Sequence, residues 1–189
     1  MRGKSSGFLT SAGILLLLAV LLIVGPGAPA AAETYNASTQ VNRLVMEDDF
    51  NFEVPLSWKS QKQKDGSWAV SAPPDTDAFE TVIIIQKIPG RGTSLSLEVQ
   101  KLIRQIKAAP DGKVVKQELT KFGNLEAPFI LATYTTNDTK GARETFGHVQ
   151  VILEHGGNFY LISYSGPAKI YAKYLDIFEN IMKTWTFRR

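Results

Sequence analysis

KVVKQELTKFGNLEAPFILATYTTNDTKGARETFGHVQVILEHGGNFYLISYS, residues 113–165, is the stretch on which the fold turns. It divides into four strand-like segments, Lys113 to Lys121, Ala127 to Thr135, Arg143 to Leu153 and Asn158 to Ser165. Turn signals at Gly123-Asn124, Asn137-Asp138 and Gly156-Gly157 separate them. These gaps are too short for a crossover helix, so the segments are expected to pair as antiparallel neighbours. Val149, Val151 and Leu153 alternate with other residues, as do Tyr160, Ile162 and Tyr164. A period of two puts each set on one face of a sheet.

Upstream, Leu95, Val99, Leu102, Ile103 and Ile106 recur at helical spacing. Ser94 or Ser96 can cap this helix, Glu98 suits its first turn, and Pro110-Asp111-Gly112 ends it. Thr81 to Ile85 is a β-branched run, expected to be a central strand buried on both faces. Phe50, Phe52 and Val54 alternate until Pro55 stops the strand. Asp65-Gly66 marks a tight turn before alternating Trp68 and Val70, and Lys59, Lys62 and Lys64 read as a solvated turn face. Downstream, Ile170, Tyr174, Ile177, Phe178 and Ile181 form one stripe of a second helix, expected over Ala168 to Lys183. Trp185 and Phe187 alternate in an extended tail. Strands, helix, antiparallel meander, helix predicts an α+β fold. The expected form is an α/β/α sandwich with a central, mainly antiparallel sheet and two main helices.

The segment Phe50-Asn-Phe-Glu-Val-Pro55-x-x-Trp58 is an aromatic strand closed by Pro-x-x-Trp. With the Thr81 to Ile85 strand, the helix after Ser94, Phe159-Tyr-Leu-Ile-Ser-Tyr164 and the closing Trp185-Thr-Phe187, it resembles the PsbP-like superfamily. That group of α/β/α sandwiches includes extrinsic proteins of photosystem II, Mog-type Ran-binding proteins and many exported bacterial domains. The resemblance spans Val45 to Phe187 and implies a structural role for Phe50, Phe52, Pro55 and Trp58. Cyanobacterial relatives are typically lipid-anchored, whereas this chain has no cysteine to modify.

The N-terminus sets the expected compartment. Arg2 and Lys4 precede an uncharged stretch from Gly7 to Val24, Gly25-Pro26-Gly27 ends it, and Ala28 to Ala32 offers A-x-A cleavage sites. Residues 1–32 are thus expected to be a signal peptide or an N-terminal membrane anchor. Residues 33–43 are expected to be a flexible tether, and 44–189 the domain. Either way the domain is expected outside the cytoplasm: periplasmic, extracellular, thylakoid-lumenal or held at the outer membrane face. Two of the three excess positive charges lie in the leader, so removal after Ala32 leaves a net charge near +1. A nearly neutral domain gives no support for a nucleic-acid partner.

The chemistry is sparse. The absence of cysteine excludes disulfides, thiolate nucleophiles and Cys-ligated metals. No phosphate loop or Rossmann fingerprint occurs. Asn36-Ala-Ser38 and Asn137-Asp-Thr139 fit the glycosylation sequon. Glu47-Asp48-Asp49 is the one acidic triplet, with Asp75 and Asp77 in a Pro-rich loop. Carboxylates suit Ca²⁺ or Mn²⁺; Asp48, Asp49 and His148 are the candidate ligands, not taken as one site. His148 and His155 fall on opposite faces of a strand by parity, so they do not share a zinc ion. The expected function is a non-enzymatic extracytoplasmic domain that binds or helps assemble a partner protein at the membrane surface, itself held there by the N-terminal helix if uncleaved. The alternatives are an extrinsic photosystem II-associated subunit with Ca²⁺ or Mn²⁺, and a small exported hydrolase using His148 or His155.

Overall fold

The computed structural model describes residues 41–137 and 141–188. The leader, tether residues 33–40 and both sequons therefore fall wholly or partly outside the described residues. In chain order the elements are β1 (Asn42–Met46), β2 (Phe50–Pro55), β3 (Lys59–Lys62), β4 (Trp68–Ser71), β5 (Val82–Pro89) and α1 (Leu95–Ala108). There follow β6 (Lys113–Phe122), β7 (Leu125–Asn137), β8 (Arg143–His155), β9 (Asn158–Pro167), α2 (Ala168–Tyr171), α3 (Leu175–Thr184) and β10 (Thr186–Phe187). The meander expected from residues 113–165 forms as β6 to β9, antiparallel throughout. It sits in a seven-stranded sheet of order β3-β4-β5-β9-β8-β7-β6, and a smaller sheet has the order β1-β2-β10.

Parity on the central strands separates two cores. Val149, Val151, Leu153, Tyr160, Ile162 and Tyr164 point to one side, where Ile177, Phe178, Ile181 and Met182 of α3 and Phe50, Phe52 and Val54 of β2 complete the main core. Ile152, Phe159 and Leu161 point to the other side, where Val99, Leu102 and Ile106 of α1 cover them with Ile130 and Ala132 of β7. The result is the expected α+β sandwich, with the small sheet sharing the α3 side. Ser94 caps α1, its Oγ accepting from the Leu97 N–H at 3.3 Å. The Pro-x-x-Trp motif is a turn, closed by Trp58 N–H donating to the Pro55 carbonyl at 2.9 Å.

Four local expectations change. The tether assigned to residues 33–43 gives way at Asn42, where β1 begins and pairs with β2. The lysine-bearing stretch after Trp58 is an edge strand, β3, because the Asp65-Gly66 turn folds it back on β4. β5 is internal to the sheet, yet Ile84 is only half-buried, so its two faces are not equally covered. The second helix is broken: a 3₁₀ turn over Ala172–Tyr174 separates α2 from α3. A 3₁₀ turn eclipses positions three apart, which aims Tyr171 and Tyr174 at the same side. Tyr164 Oη donates to the Tyr171 carbonyl at 2.6 Å, and Tyr174 Oη donates to Asp77.

Candidate functional site

The side of the large sheet that α1 covers also carries buried polar groups. His148 and Gln150 of β8 stand directly opposite Ser165 and Ser163 of β9. All four are buried. His148 Nδ1 lies 2.6 Å from Ser165 Oγ, and Gln150 Nε2 donates to Ser163 Oγ at 3.2 Å. Tyr134 of β7, also buried, sets its ring edge-on to His148 at 5.7 Å, and its hydroxyl bonds to Ser165. Burial removes the water that would stabilise an imidazolium, so His148 is pushed down to about 4. The ring is neutral at pH 7 and a weak base. Among the described residues no carboxylate hydrogen-bonds to it. A base this weak with no orienting acid lacks the arrangement that activates serine. The polar set therefore reads as a cross-strand network of Tyr134, His148, Gln150, Ser163 and Ser165.

The structure keeps the candidate metal ligands apart. Asp49 is paired with Lys87 at 2.7 Å, and that ammonium lies 5.9 Å from the Tyr160 ring, on the α3 side of the sheet. His148 is on the α1 side. Asp48 is exposed. Asp77 is held by Lys173 at 2.5 Å and by Tyr174. Among the described residues no group of three or more His, Cys, Asp or Glu side chains could hold a metal ion. His155 is exposed and stacks on Phe187 at 4.1 Å, on the face opposite His148 as parity requires. Phe50, Phe52, Pro55 and Trp58 are buried, Phe50 stacking on Trp185 at 4.5 Å and meeting Trp68 edge-on at 5.0 Å. These aromatics are core, not groove lining.

One surface open to a macromolecule is the outer edge of the large sheet. Among the described residues β6 ends the large sheet with one backbone edge unpaired. Most of its residues are exposed, among them Val115 at 54% and Leu119 at 68%. No composition or spacing signal singles out β6. Its ends still pack inward, Phe122 in the main core and Val114 against the α1 side, while the middle of the strand is exposed.

No family model matches the chain, and no curated protein matches it in sequence. Solved structures do match. The cyanobacterial PsbP protein of Synechocystis aligns with a TM-score of 0.55 at 12% identity, over 88% of this chain and 99% of its own. The fold is the PsbP/Mog-like one. LpqN of Mycobacterium tuberculosis, described as involved in cell envelope biogenesis, aligns with a TM-score of 0.55 at 14% identity, over 82% of this chain and 99% of its own. The Ran-binding protein Mog1p of Saccharomyces cerevisiae aligns with a TM-score of 0.53 at 10% identity, over 78% and 96%. The match to a Bacteroides thetaiotaomicron structure spans 45% of that longer chain. At these identities the likeness concerns the PsbP/Mog-like fold. Among the described residues no helix is long and apolar enough to cross a membrane.

Proposed function

We propose that this chain is a non-enzymatic, extracytoplasmic binding module that takes up a partner protein at the outer membrane surface. The observation that carries it is the β6 edge. A ten-residue strand lies along an open sheet edge and exposes Val115 and Leu119 to solvent. An edge of this kind offers free N–H and C=O groups to an added strand, and its side chains supply specificity. The Ran-binding description of Mog1p supports a protein-binding use of the fold, and the leader supports export.

The test is recovery of partners from detergent-solubilised membranes of the source cells by the tagged full chain. Wild type should retain a specific partner. Val115→Lys with Leu119→Lys should lose it while keeping the wild-type circular dichroism spectrum. Retention of no specific partner by wild type, or equal retention by the variant, would overturn the assignment to β6.

A further inference from the structure

The centre of β6 is complementary to its own reverse. Val115, Lys116, Gln117, Glu118 and Leu119 read apolar, cation, amide, anion, apolar. All five are exposed, and Val114 and Thr120 on either side are half-buried, so the open window is itself centred on Gln117. The register on β7 sorts the five between two faces. Gln117 and Leu119 stand opposite Ile130 and Pro128, on the side where Ile130 joins the α1 core. Val115 is the extra residue at the shift between Val114 and Lys116; Val114, opposite Ala132, and Gln117 flank it on that same side. Lys116 and Glu118 stand opposite Leu131 and Phe129, which pack against the main core, and so occupy the other side. The two exposed apolar residues thus share one face with Gln117, and the two charges share the other.

Directly opposed residues of an antiparallel pair lie on the same face. Two copies of β6 laid antiparallel about Gln117 therefore bring Val115 against Leu119 twice on one face and Lys116 against Glu118 twice on the other. Lys116 and Glu118 already bond within one copy at 2.8 Å, so the pairing links two ion pairs into a group of four alternating charges. A slip of two residues either way sets Lys116 against Lys116 or Glu118 against Glu118, and like charges directly opposed destabilise a strand pair. The bulge at Val115 ends the regular ladder before Lys113 meets Lys121. A strand from an unrelated protein would require no such symmetry in β6. We infer that the strand added to β6 is the β6 of a second copy, which joins two seven-stranded sheets across a two-fold axis at Gln117. This rests on the reading of β6 as the binding edge and names its occupant. Each copy offers one such edge, so the assembly closes at a dimer.

The native chain has no cysteine, so an introduced one reports on a single position. Directly opposed residues of an antiparallel pair hold their Cα atoms about 4.5–5.5 Å apart, within disulfide range. Full-length Gln117→Cys, in detergent with micelles in excess over chains, should oxidise to a disulfide-linked dimer, and Gln61→Cys on the β3 edge should not. Adding Lys116→Glu or Glu118→Lys to Gln117→Cys should each cut the dimer yield several-fold. Mixing those two variants should restore it as the heterodimer, read by tags of different size. No dimer from Gln117→Cys, with a different protein still recovered from membranes through Val115 and Leu119, overturns the second copy and leaves β6 as the binding edge. No dimer and no recovered partner overturns both. Equal yields from Gln61→Cys, or undiminished yields from the unmixed charge variants, mark random collision and overturn the pairing.

Discussion

Acidification should weaken this fold chiefly through one residue, His148. Its imidazole is buried between Tyr134, Gln150 and Ser165, and burial holds its folded-state value at about 4 against the ordinary 6.5. In the window between those values the unfolded chain binds a proton that the folded chain does not. Stability therefore rises with pH across the window, is complete above pH 6.5 and is lost as pH falls towards 4. Two and a half units at about 1.4 kcal/mol each amount to roughly 3 kcal/mol in full, and to about 2 kcal/mol by pH 5. Against a domain stability of about 5–15 kcal/mol, that is a large fraction.

The assay is urea unfolding at a series of pH values on wild type and His148→Asn. Asparagine keeps a polar atom towards Ser165 but cannot ionise, so only the pH slope is diagnostic. Carboxylates held low, such as Glu98 beside Lys101, lose their contribution as pH falls through the ordinary 4.5 and cancel in the difference. Wild type should lose about 2 kcal/mol more than the variant between pH 7 and pH 5. Parallel slopes, or a His148 ring proton that titrates near pH 6.5 by NMR, would refute the burial argument.

Two further outcomes follow from the packing. Phe50→Ala removes a ring stacked on Trp185 and edge-on to Trp68 and Tyr160. It should cost about 3–5 kcal/mol in equilibrium unfolding and flatten the near-ultraviolet circular dichroism; a loss under about 1 kcal/mol would remove this cluster from the centre of the core. In Gly147→Ala the new Cβ would overlap the Tyr171 ring. The expected cost is about 1–3 kcal/mol, falling sharply in a Tyr171→Ala background. Equal costs in both backgrounds would show that the ring is not what excludes a side chain there.

What was legible in the sequence is what local chemistry enforces. The short turns make β6 to β9 antiparallel, and Ser94 with the 3.6-residue stripe marks α1. β1 and β3 were not legible because pairing defines them: Asn42 and Arg43 carry no strand pattern until β2 lies beside them. β10 joins β2 from the far end of the chain, a contact that no local signal carries. The break at Ala172–Tyr174 has no glycine or proline to announce it, and its cause is tertiary, in the anchoring of Tyr171 and Tyr174. The polar cluster was more accessible than it looked. The Gly156-Gly157 turn pairs His155 with Asn158, and stepping back along that register puts His148 opposite Ser165 and Gln150 opposite Ser163. Depth is the part that register cannot supply, because it depends on what covers the sheet.

The sheet edges at β3, β6 and β1 are not decorated alike. β3 is four residues long, with Lys59, Gln61 and Lys62 exposed, a combination that discourages a neighbouring strand. β6 carries a register shift between Val114 and Lys116 and several charges, which also resist indiscriminate pairing, yet it exposes Val115 and Leu119. β1 exposes Leu44 and Met46 on its outward face. Apolar side chains on an edge add nothing to the core and favour self-association, so a chain that blunts β3 with lysine had the same remedy open at β1 and β6. β1 and β6 belong to different sheets, so substitutions at Leu44 and at Leu119 probe the two edges independently.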